Sequence, residues 1–216
     1  MKEMSEENTG LQGHEGSLQH FTNDLNLKPY YHSNAMKQPT LTAAEANNFV
    51  RLSGSSISEP VYILAIRGYY KNIGKPAEND RGIYDDALFL IGPDLFLAVN
   101  ANTDPSRYKP GIAKLVPGLH YYKKGLHHLS DPDPRRRYTA FRPDTADESL
   151  PVTRDGQQGI SKGYAINIHK GGYSSTSSEG CQTVYPEQWL QFQQMAYRAM
   201  DRWGQRRVGY LLVESV

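Results

Sequence analysis

Cysteine is the residue that this sequence has least of, since Cys181 is the only one among 216 residues. One cysteine excludes a disulfide within the chain, although it does not fix the redox compartment. It also excludes the paired C-x-x-C motifs of structural zinc sites, and the chain has no H-E-x-x-H motif. We therefore expect no metal and no cofactor.

Long apolar runs are absent as well. No stretch approaches the roughly 20 apolar residues that a membrane-spanning helix needs, and the mean hydropathy is −0.65. Residues 1–7 lack the apolar core of a signal peptide. The sequence thus predicts a polar protein without a membrane span that is made in the cytoplasm without a signal peptide. If its substrate lies outside the cytoplasm, another system must deliver it.

A strong charge of one sign is missing too, because the formal net charge is +1. The only basic triplet is Arg135-Arg136-Arg137, next to prolines. Such a short run is more typical of a solvated loop than of a nucleic-acid-binding patch. We expect no nucleic-acid partner.

The composition changes at about residue 40. Residues 1–40 are polar and weakly periodic, which predicts an N-terminal extension. Residues 41–216 predict one folded domain. Thr42 is followed three residues later by Glu45, a capping-box pattern that predicts a helix over 43–52.

Short strands dominate the rest of the domain, because runs of β-branched and aromatic residues alternate with turn-forming residues. The predicted strands are 61–70, 87–91, 95–100, 119–123, 138–142, 152–154, 164–169 and 208–213. Pro186 opens a predicted helix, and Gly204 ends it. The apolar stripe of that helix consists of Trp189, Phe192, Ala196, Ala199 and Trp203. The fold class is therefore mainly β (α+β), with one helix packed after Cys181.

The stretch before Cys181 is the candidate for chemistry. Residues 164–169 alternate in character, which predicts a strand that ends near His169. His169 precedes Cys181 by twelve positions, and the segment between them is rich in Gly and Ser. Such a segment predicts a loop that can turn back. We therefore expect the imidazole of His169 to lie beside the Cys181 thiol.

A neighbouring imidazole would activate the thiol, because it lowers the pKa of a cysteine and supplies a base. The N–H groups of Gly180 and Cys181 are the candidate donors to an oxyanion. Ser178 either hydrogen-bonds His169 or shapes the loop. The alternative interpretation is structural, because a lone cysteine is usually a small buried hydrophobe.

The same stretch resembles the active-site motif of the L,D-transpeptidase catalytic domain, the YkuD-like family. In that family a strand ends in Ile-His-Gly, and Ser/Thr-x-Gly-Cys follows a dozen or more residues later. The counterparts here are Ile168-His169 and the Ser-Glu-Gly-Cys of residues 178–181. More loosely, residues 84–86, 100–105 and 154–156 resemble a divergent branch seen in phage and bacterial antagonism proteins.

Two positions depart from that family. Glu179 stands where the family has His, and Thr183 stands where it has an Arg that helps to hold the substrate. Arg142 and Arg154 are the candidates to replace that Arg, since a guanidinium grips a carboxylate through two hydrogen bonds. The predicted substrate-binding residues are Arg142, Arg154, Gly171, Gly172, Tyr173, Thr183 and His127.

The adjacent pair His127-His128 is a poor metal site by itself, because neighbouring side chains on a strand point apart. A zinc ion would need further ligands at suitable spacing. A place in a substrate groove or on the surface fits these two residues better.

The resemblance implies a YkuD-like β-sandwich or barrel and a cysteine enzyme that modifies peptidoglycan. Cys181 would attack the amide bond between meso-diaminopimelate and D-alanine of a stem peptide, with His169 as base and then acid. The acceptor would be water, an amine of another stem, or a free D-amino acid. The protein would be phage-encoded or an antibacterial effector that acts in the periplasm or cell wall. Its partners would be stem peptides, a delivery apparatus and an immunity protein.

Two other functions stay open. The first is a catalytically weak wall-binding or phage-tail structural protein whose Cys–His pair is a relic, which the departures at Glu179 and Thr183 favour slightly. The second is a cysteine endopeptidase or amidase that cuts elsewhere in the wall. Mass analysis of the digested wall separates this enzyme from one that releases D-alanine.

Overall fold

The helix that precedes the strands begins where its capping residues predict. The computed structural model describes residues 37–75 and 80–215, and α1 spans Ala43–Leu52. The Thr42 hydroxyl accepts the Glu45 N–H at 3.2 Å, and the Glu45 carboxylate accepts the Thr42 N–H at 2.7 Å. This reciprocal capping box confirms the prediction. Most of the predicted extension, residues 1–36, lies outside the described residues.

Strands make up most of the regular structure after α1. In chain order they are β1 (Tyr62–Arg67), β2 (Asp86–Gly92), β3 (Leu95–Asn102), β4 (Ala113–Leu115), β5 (Gly118–His127), β6 (Tyr138–Pro143), β7 (Ser149–Arg154), β8 (Ser161–Tyr164), β9 (Ile168–Lys170), β10 (Gln182–Val184) and β11 (Arg207–Glu214). The second helix, α2, spans Pro186–Arg202 and lies between β10 and β11 in sequence.

Eight strands close into a barrel in the order β1, β11, β5, β6, β9, β10, β3, β2. The pairs β1–β11 and β9–β10 are parallel, whereas the hairpin β2–β3 and the pair β5–β6 are antiparallel. A separate three-stranded sheet has the order β4, β7, β8. The mainly β prediction is confirmed, and the larger sheet takes the barrel form.

Successive side chains of β1 point alternately into two clusters of the core. Ile63 and Ala65 belong to the larger cluster, which also contains the apolar face of α2. Leu64 and Ile66 belong to a second cluster with Ala46 of α1. Both faces of β1 are therefore buried, which explains why this strand is a continuous apolar run rather than an alternating one.

The buried stripe of α2 differs from the prediction at its C-terminal end. Trp189, Phe192 and Ala196 are buried as predicted, but the stripe finishes on Met200. Ala199 is only partly buried, and Trp203 is 43 % exposed. Trp203 is the C-cap residue, so its side chain no longer follows the buried face of the helix. The predicted start at Pro186 is confirmed.

The single strand predicted over residues 164–169 is wrong. The structure has two short strands there, with β8 ending at Tyr164 and β9 beginning at Ile168. Ala165 lies between them with a φ of 50°, in the left-handed region that interrupts a strand. The chain therefore leaves the three-stranded sheet and enters the barrel just before His169.

Within residues 37–75 and 80–215, no helix is long and apolar enough to cross a membrane.

Candidate active site

Two parallel strands bring the predicted catalytic residues together. β9 and β10 are neighbours in the barrel, with His169 opposite Thr183. The N–H of Gln182 donates to the carbonyl of Asn167 at 2.8 Å, which fixes the start of β10 against the segment before β9. Cys181 directly precedes β10, so this pairing holds it beside the start of β9. The sequence-based expectation that the loop returns Cys181 to His169 is confirmed.

The loop before Cys181 is held by Ser178. Its hydroxyl donates to the Cys181 carbonyl at 2.6 Å and accepts the Gly180 N–H at 3.0 Å. Its main-chain N–H donates to the Ser106 hydroxyl at 2.6 Å. Of the two roles predicted for Ser178, the structure therefore has the one that shapes the loop. Because the Gly180 N–H is occupied, the Cys181 N–H is the better candidate as oxyanion donor.

Gly180 is required by both its backbone and its surroundings. Its φ is +136°, in a region that residues with a side chain rarely adopt. A Cβ atom at this position would lie 2.9 Å from the carbonyl oxygen of Ala113. A glycine therefore allows the loop to approach β4 closely enough to present Cys181.

The thiol of Cys181 interacts with the irregular segment between β8 and β9. The Sγ atom donates to the carbonyl of Ala165 at 3.6 Å and accepts the N–H of Asn167 at 3.4 Å. The left-handed conformation of Ala165 thus places two main-chain groups around the sulfur. Strained backbone of this kind is found more often at functional sites than elsewhere.

The hydrogen bonds of His169 determine which ring nitrogen is free. Its Nδ1 lies 2.7 Å from the carbonyl of Lys170 and 3.0 Å from the hydroxyl of Tyr138. A carbonyl can only accept, so Nδ1 carries the proton and Nε2 keeps its lone pair. The Lys170 carbonyl therefore orients the histidine ring. Nε2 is then the base available to a neighbouring thiol.

His127 completes a cluster with the two predicted catalytic residues. Its ring stacks on that of His169, with 4.0 Å between the ring centroids and 16° between the planes. One ring nitrogen of each histidine and the Sγ of Cys181 all lie within 4.8 Å of one another. The sequence predicts that the strand carrying this region ends at residue 123, but β5 continues through His127. That extension places His127 at the site.

The thiol and both imidazoles are neutral near pH 7. Burial raises the pKa of the Cys181 thiol to about 11, against the opposing effects of the Asn167 N–H and the Arg142 guanidinium. Burial lowers the pKa of His169 to about 4, and burial together with its histidine neighbours lowers the pKa of His127 to about 3. The pKa lowering expected for Cys181 is therefore wrong. A neutral imidazole provides no positive charge for a thiolate, so desolvation prevails.

Arg142 lies near the cluster, but its guanidinium is already paired within the protein. Its guanidinium forms a two-pronged ion pair with Glu148, and Nη1 donates to the Leu126 carbonyl at 2.9 Å. The side chain is 11 % exposed. In this structure Arg142 fastens β6 to the end of β5, and a substrate carboxylate would have to displace Glu148 to reach it.

A cavity of about 290 Å³ flanks the Cys181 loop, between the three-stranded sheet and residues 109–113. Arg154 lines it, but the Arg154 guanidinium donates to the carbonyls of Gly111 at 2.8 Å and Lys162 at 2.9 Å. Glu179 also lines the cavity; it is 71 % exposed and lies 3.4 Å from the Lys109 ammonium. The Glu179 side chain therefore faces solvent.

The other predicted substrate residues lie around the loop after β9. The Tyr84 hydroxyl donates to the Gly172 carbonyl at 2.6 Å, and a Cβ on Gly171 would lie 2.1 Å from that hydroxyl. Tyr173 is 73 % exposed, whereas Thr183 is fully buried. Tyr173 is thus open to a ligand. Thr183 is enclosed beside His169, so its predicted contact with substrate is not favoured by the geometry.

Two residues of the site have no role predicted from the sequence. Tyr138 contacts the His169 ring through its hydroxyl, and burial raises the pKa of Tyr138 to about 12, which keeps the hydroxyl protonated. Asn167 contacts His127 through its side-chain amide at 2.9 Å. Asn167 stands two residues before His169 in the motif, which is the one local signal that could have identified it. Tyr138 is brought in by pairing of distant strands and has no such signal.

Comparison with known proteins finds no family model, no curated protein and no solved structure that matches this chain.

Proposed function

We propose that this protein is a cysteine-dependent enzyme of the L,D-transpeptidase type, with a YkuD-like fold, that acts on peptidoglycan stem peptides. The scissile bond is the amide between meso-diaminopimelate and D-alanine. Water, a stem amine or a free D-amino acid takes the acyl group. The protein acts in the periplasm or cell wall of a target cell after delivery by a phage or a secretion apparatus.

The observation that carries this proposal is the arrangement of His169 beside Cys181. The Lys170 carbonyl at 2.7 Å holds the proton on Nδ1, so the lone pair of Nε2 is free for the thiol. With a thiol pKa of about 11, roughly one molecule in ten thousand holds a thiolate at pH 7. The resting protein is therefore a neutral pair, and proton transfer has to accompany attack on the substrate.

The chemistry follows from that pair. The thiol turns from the Ala165 carbonyl toward His169, and its proton moves to Nε2 as sulfur bonds to the substrate carbonyl carbon. The Cys181 N–H donates to the resulting oxyanion. Collapse breaks the C–N bond, and the departing D-alanine amine takes the proton from His169. An acceptor then attacks the thioester carbonyl carbon while His169 takes up the acceptor's proton. The C–S bond breaks, and the leaving sulfur takes that proton from His169, which restores the thiol.

The surface around the cysteine is consistent with a peptide that carries carboxylates. Lys109 and Arg154 line the cavity beside the loop, and Arg107 lies 4.0 Å from Glu179 at its edge. Tyr164 and Tyr173 are 62 % and 73 % exposed and offer flat apolar surfaces. Aromatic faces and cations together suit a stem peptide attached to sugar.

The test is incubation of the full-length protein with tetrapeptide-rich peptidoglycan, followed by mass spectrometry of the digested muropeptides. We expect loss of one D-alanine, or its exchange for an added D-amino acid. The Cys181→Ala variant removes the nucleophile and should lose at least a thousandfold of this activity, by analogy with the removal of other catalytic nucleophiles. Activity that persists in that variant would overturn the proposal.

Two observations favour the structural alternative, in which the protein binds the wall without turnover. The resting thiol donates to the Ala165 carbonyl rather than to His169, and burial raises its pKa. If neither wild type nor Cys181→Ala changes the muropeptides, and both sediment with purified sacculi, this alternative replaces the enzyme. Cuts at other bonds would instead indicate an endopeptidase or amidase.

A further inference from the structure

The cluster of His127, His169 and Cys181 carries a second chemistry besides nucleophilic attack. We propose that these three side chains bind a zinc-type divalent cation, with a fourth coordination position left to water. The local sequence does not reveal the set, because its members lie on β5, on β9 and before β10. Such a site does not depend on whether the protein processes stem peptides.

The donor atoms are of the right kind and nearly at the right spacing. Two imidazole nitrogens and one sulfur lie within 4.8 Å of one another. Zinc holds nitrogen at about 2.0–2.1 Å and sulfur at about 2.3 Å, so tetrahedral ligand atoms are separated by roughly 3.3–3.8 Å. To enclose an ion, the donor atoms must therefore move by about 1 Å. Side-chain rotation supplies such a shift without movement of the strands.

The groups around both histidines resemble the outer shell of a zinc site. A ligating histidine usually donates its other N–H to a carbonyl or a carboxylate, which fixes the ring. The Nδ1 of His169 is held by the Lys170 carbonyl at 2.7 Å, and the Nδ1 of His127 lies 2.9 Å from the Asn167 amide. Nε2 of His169 is therefore left for an ion, and Nε2 of His127 is the nitrogen that Asn167 does not contact.

Asn167 provides an independent indication that the cluster takes a ligand. The residue is 2 % exposed, and its Oδ1 is buried without a hydrogen-bond partner. Its Nδ2 is assigned to His127, which requires the His127 proton to be on Nε2. Turning the amide over would give Oδ1 the Nδ1–H of His127 and free Nε2 as a ligand. An ion on Nε2 would hold the His127 proton on Nδ1 and so favour the arrangement in which the buried Oδ1 has a partner.

The local charge permits a cation. Beside the larger effect of burial, the positive charge of Arg142 acts to lower the pKa of both His127 and Cys181. Its two-pronged ion pair with Glu148 offsets that charge. Binding of the ion displaces the thiol proton, so the sulfur ligates as a thiolate and one proton leaves for the solvent. The bound ion then occupies the same sulfur and the same Nε2 that attack on a substrate requires.

The experiment is titration of the metal-free full-length protein with Co²⁺, which reports its ligands by absorption. We expect saturation at one equivalent and a sulfur-to-cobalt charge-transfer band in the near ultraviolet. The visible absorption bands should have the intensity that is typical of four-coordinate Co²⁺. Zn²⁺ added afterwards should remove the cobalt bands and should protect Cys181 from iodoacetamide.

Variants assign the ligands. Cys181→Ser should abolish the charge-transfer band, and His127→Ala should weaken Co²⁺ binding at least tenfold. His128→Ala is the matched control, because it removes the neighbouring imidazole and should leave binding unchanged. Asn167→Ala should weaken binding by roughly 10–100-fold, the usual effect of losing an outer-shell partner. Circular dichroism checks that each variant is folded.

Three results would overturn the zinc site: cobalt binding without a sulfur band, equal binding by wild type and His127→Ala, or alkylation of Cys181 that Zn²⁺ does not slow. None of these readouts uses peptidoglycan. A protein that fails to process stem peptides can therefore still bind zinc, and an active enzyme can still fail to bind it.

Discussion

The thiol of Cys181 and the ring of His169 are adjacent, yet each is held in its neutral form. Desolvation raises the pKa of the thiol and lowers that of the imidazole. Both shifts disfavour the thiolate–imidazolium pair that a solvated Cys–His site would form. The Lys170 carbonyl compensates by fixing the tautomer, so the imidazole can take the proton once a substrate carbonyl is in place. At the scale of single residues, the site is prepared for concerted proton transfer.

The reactivity of Cys181 toward iodoacetamide should follow its raised pKa. Because the thiolate reacts, the alkylation rate of the metal-free protein should rise about tenfold per pH unit from pH 7 to 10, toward a pKa of about 11. An ordinary cysteine has a pKa of about 8.5 and its rate should level off near pH 9. The rate is measured by mass spectrometry of samples quenched at successive times, with a chelator present. An unstructured cysteine peptide is the control. A plateau below pH 8 would indicate an ion pair with His169 instead.

At the scale of the element, β5 decides the composition of the site. Its central residues Lys123, Lys124 and Gly125 give no alternating apolar pattern, which is why the sequence predicts a shorter strand. Pairing with β6 extends it, since Gly125 lies opposite Ala140 and His127 opposite Tyr138. A Cβ on Gly125 would lie 2.6 Å from the Arg142 side chain. The glycine therefore allows the Arg142 side chain to cross β5 at this point.

The first helix offers a local test of the capping box. Thr42→Ala removes the hydroxyl that accepts the Glu45 N–H, and it should lower the free energy of unfolding by about 1 kcal/mol. Thr42→Ser keeps the hydroxyl and should be close to wild type. Urea denaturation followed by circular dichroism measures both variants. Equal losses in the two variants would show that the methyl group, rather than the cap, matters.

At the scale of the whole molecule, one buried cation joins the barrel to the smaller sheet. Arg67 of β1 is 2 % exposed. Its guanidinium donates to the carbonyl of Leu115 in β4 at 3.0 Å and to the carbonyl of Thr103 after β3 at 2.9 Å, and it lies 3.3 Å from the Asp104 carboxylate. Thr103 and Asp104, in the polar segment 100–105, are thus engaged in buried contacts, and the Asp104 carboxylate is enclosed.

Removing that cation should destabilise the entire domain. Arg67→Ala removes the buried guanidinium from Asp104 and from the carbonyls of Thr103 and Leu115, and Lys114, 3.7 Å from Asp104, stays at the rim. The loss should cost about 3–5 kcal/mol of unfolding free energy. The control is Arg135→Ala, which breaks an ion pair with Asp133 at the surface and should have no measurable effect. Chemical denaturation compares the two variants. A loss below about 1 kcal/mol in Arg67→Ala would mean that Lys114 or solvent compensates for the lost guanidinium and that Arg67 does not hold the sheets together.

Local patterns in the sequence determined the elements and the central pair of the site. The capping box, the two strands over 87–91 and 95–100, the start of α2 and the return of Cys181 to His169 each depend on residues close in sequence, where periodicity and turn chemistry act.

The tertiary structure alone decided the closure of the barrel, the break at Ala165, and the arrival of His127 and Tyr138 at the site. It also reversed the expected direction of the thiol pKa. Strand pairing between distant segments and exclusion of water depend on the whole fold, so no local pattern encodes them.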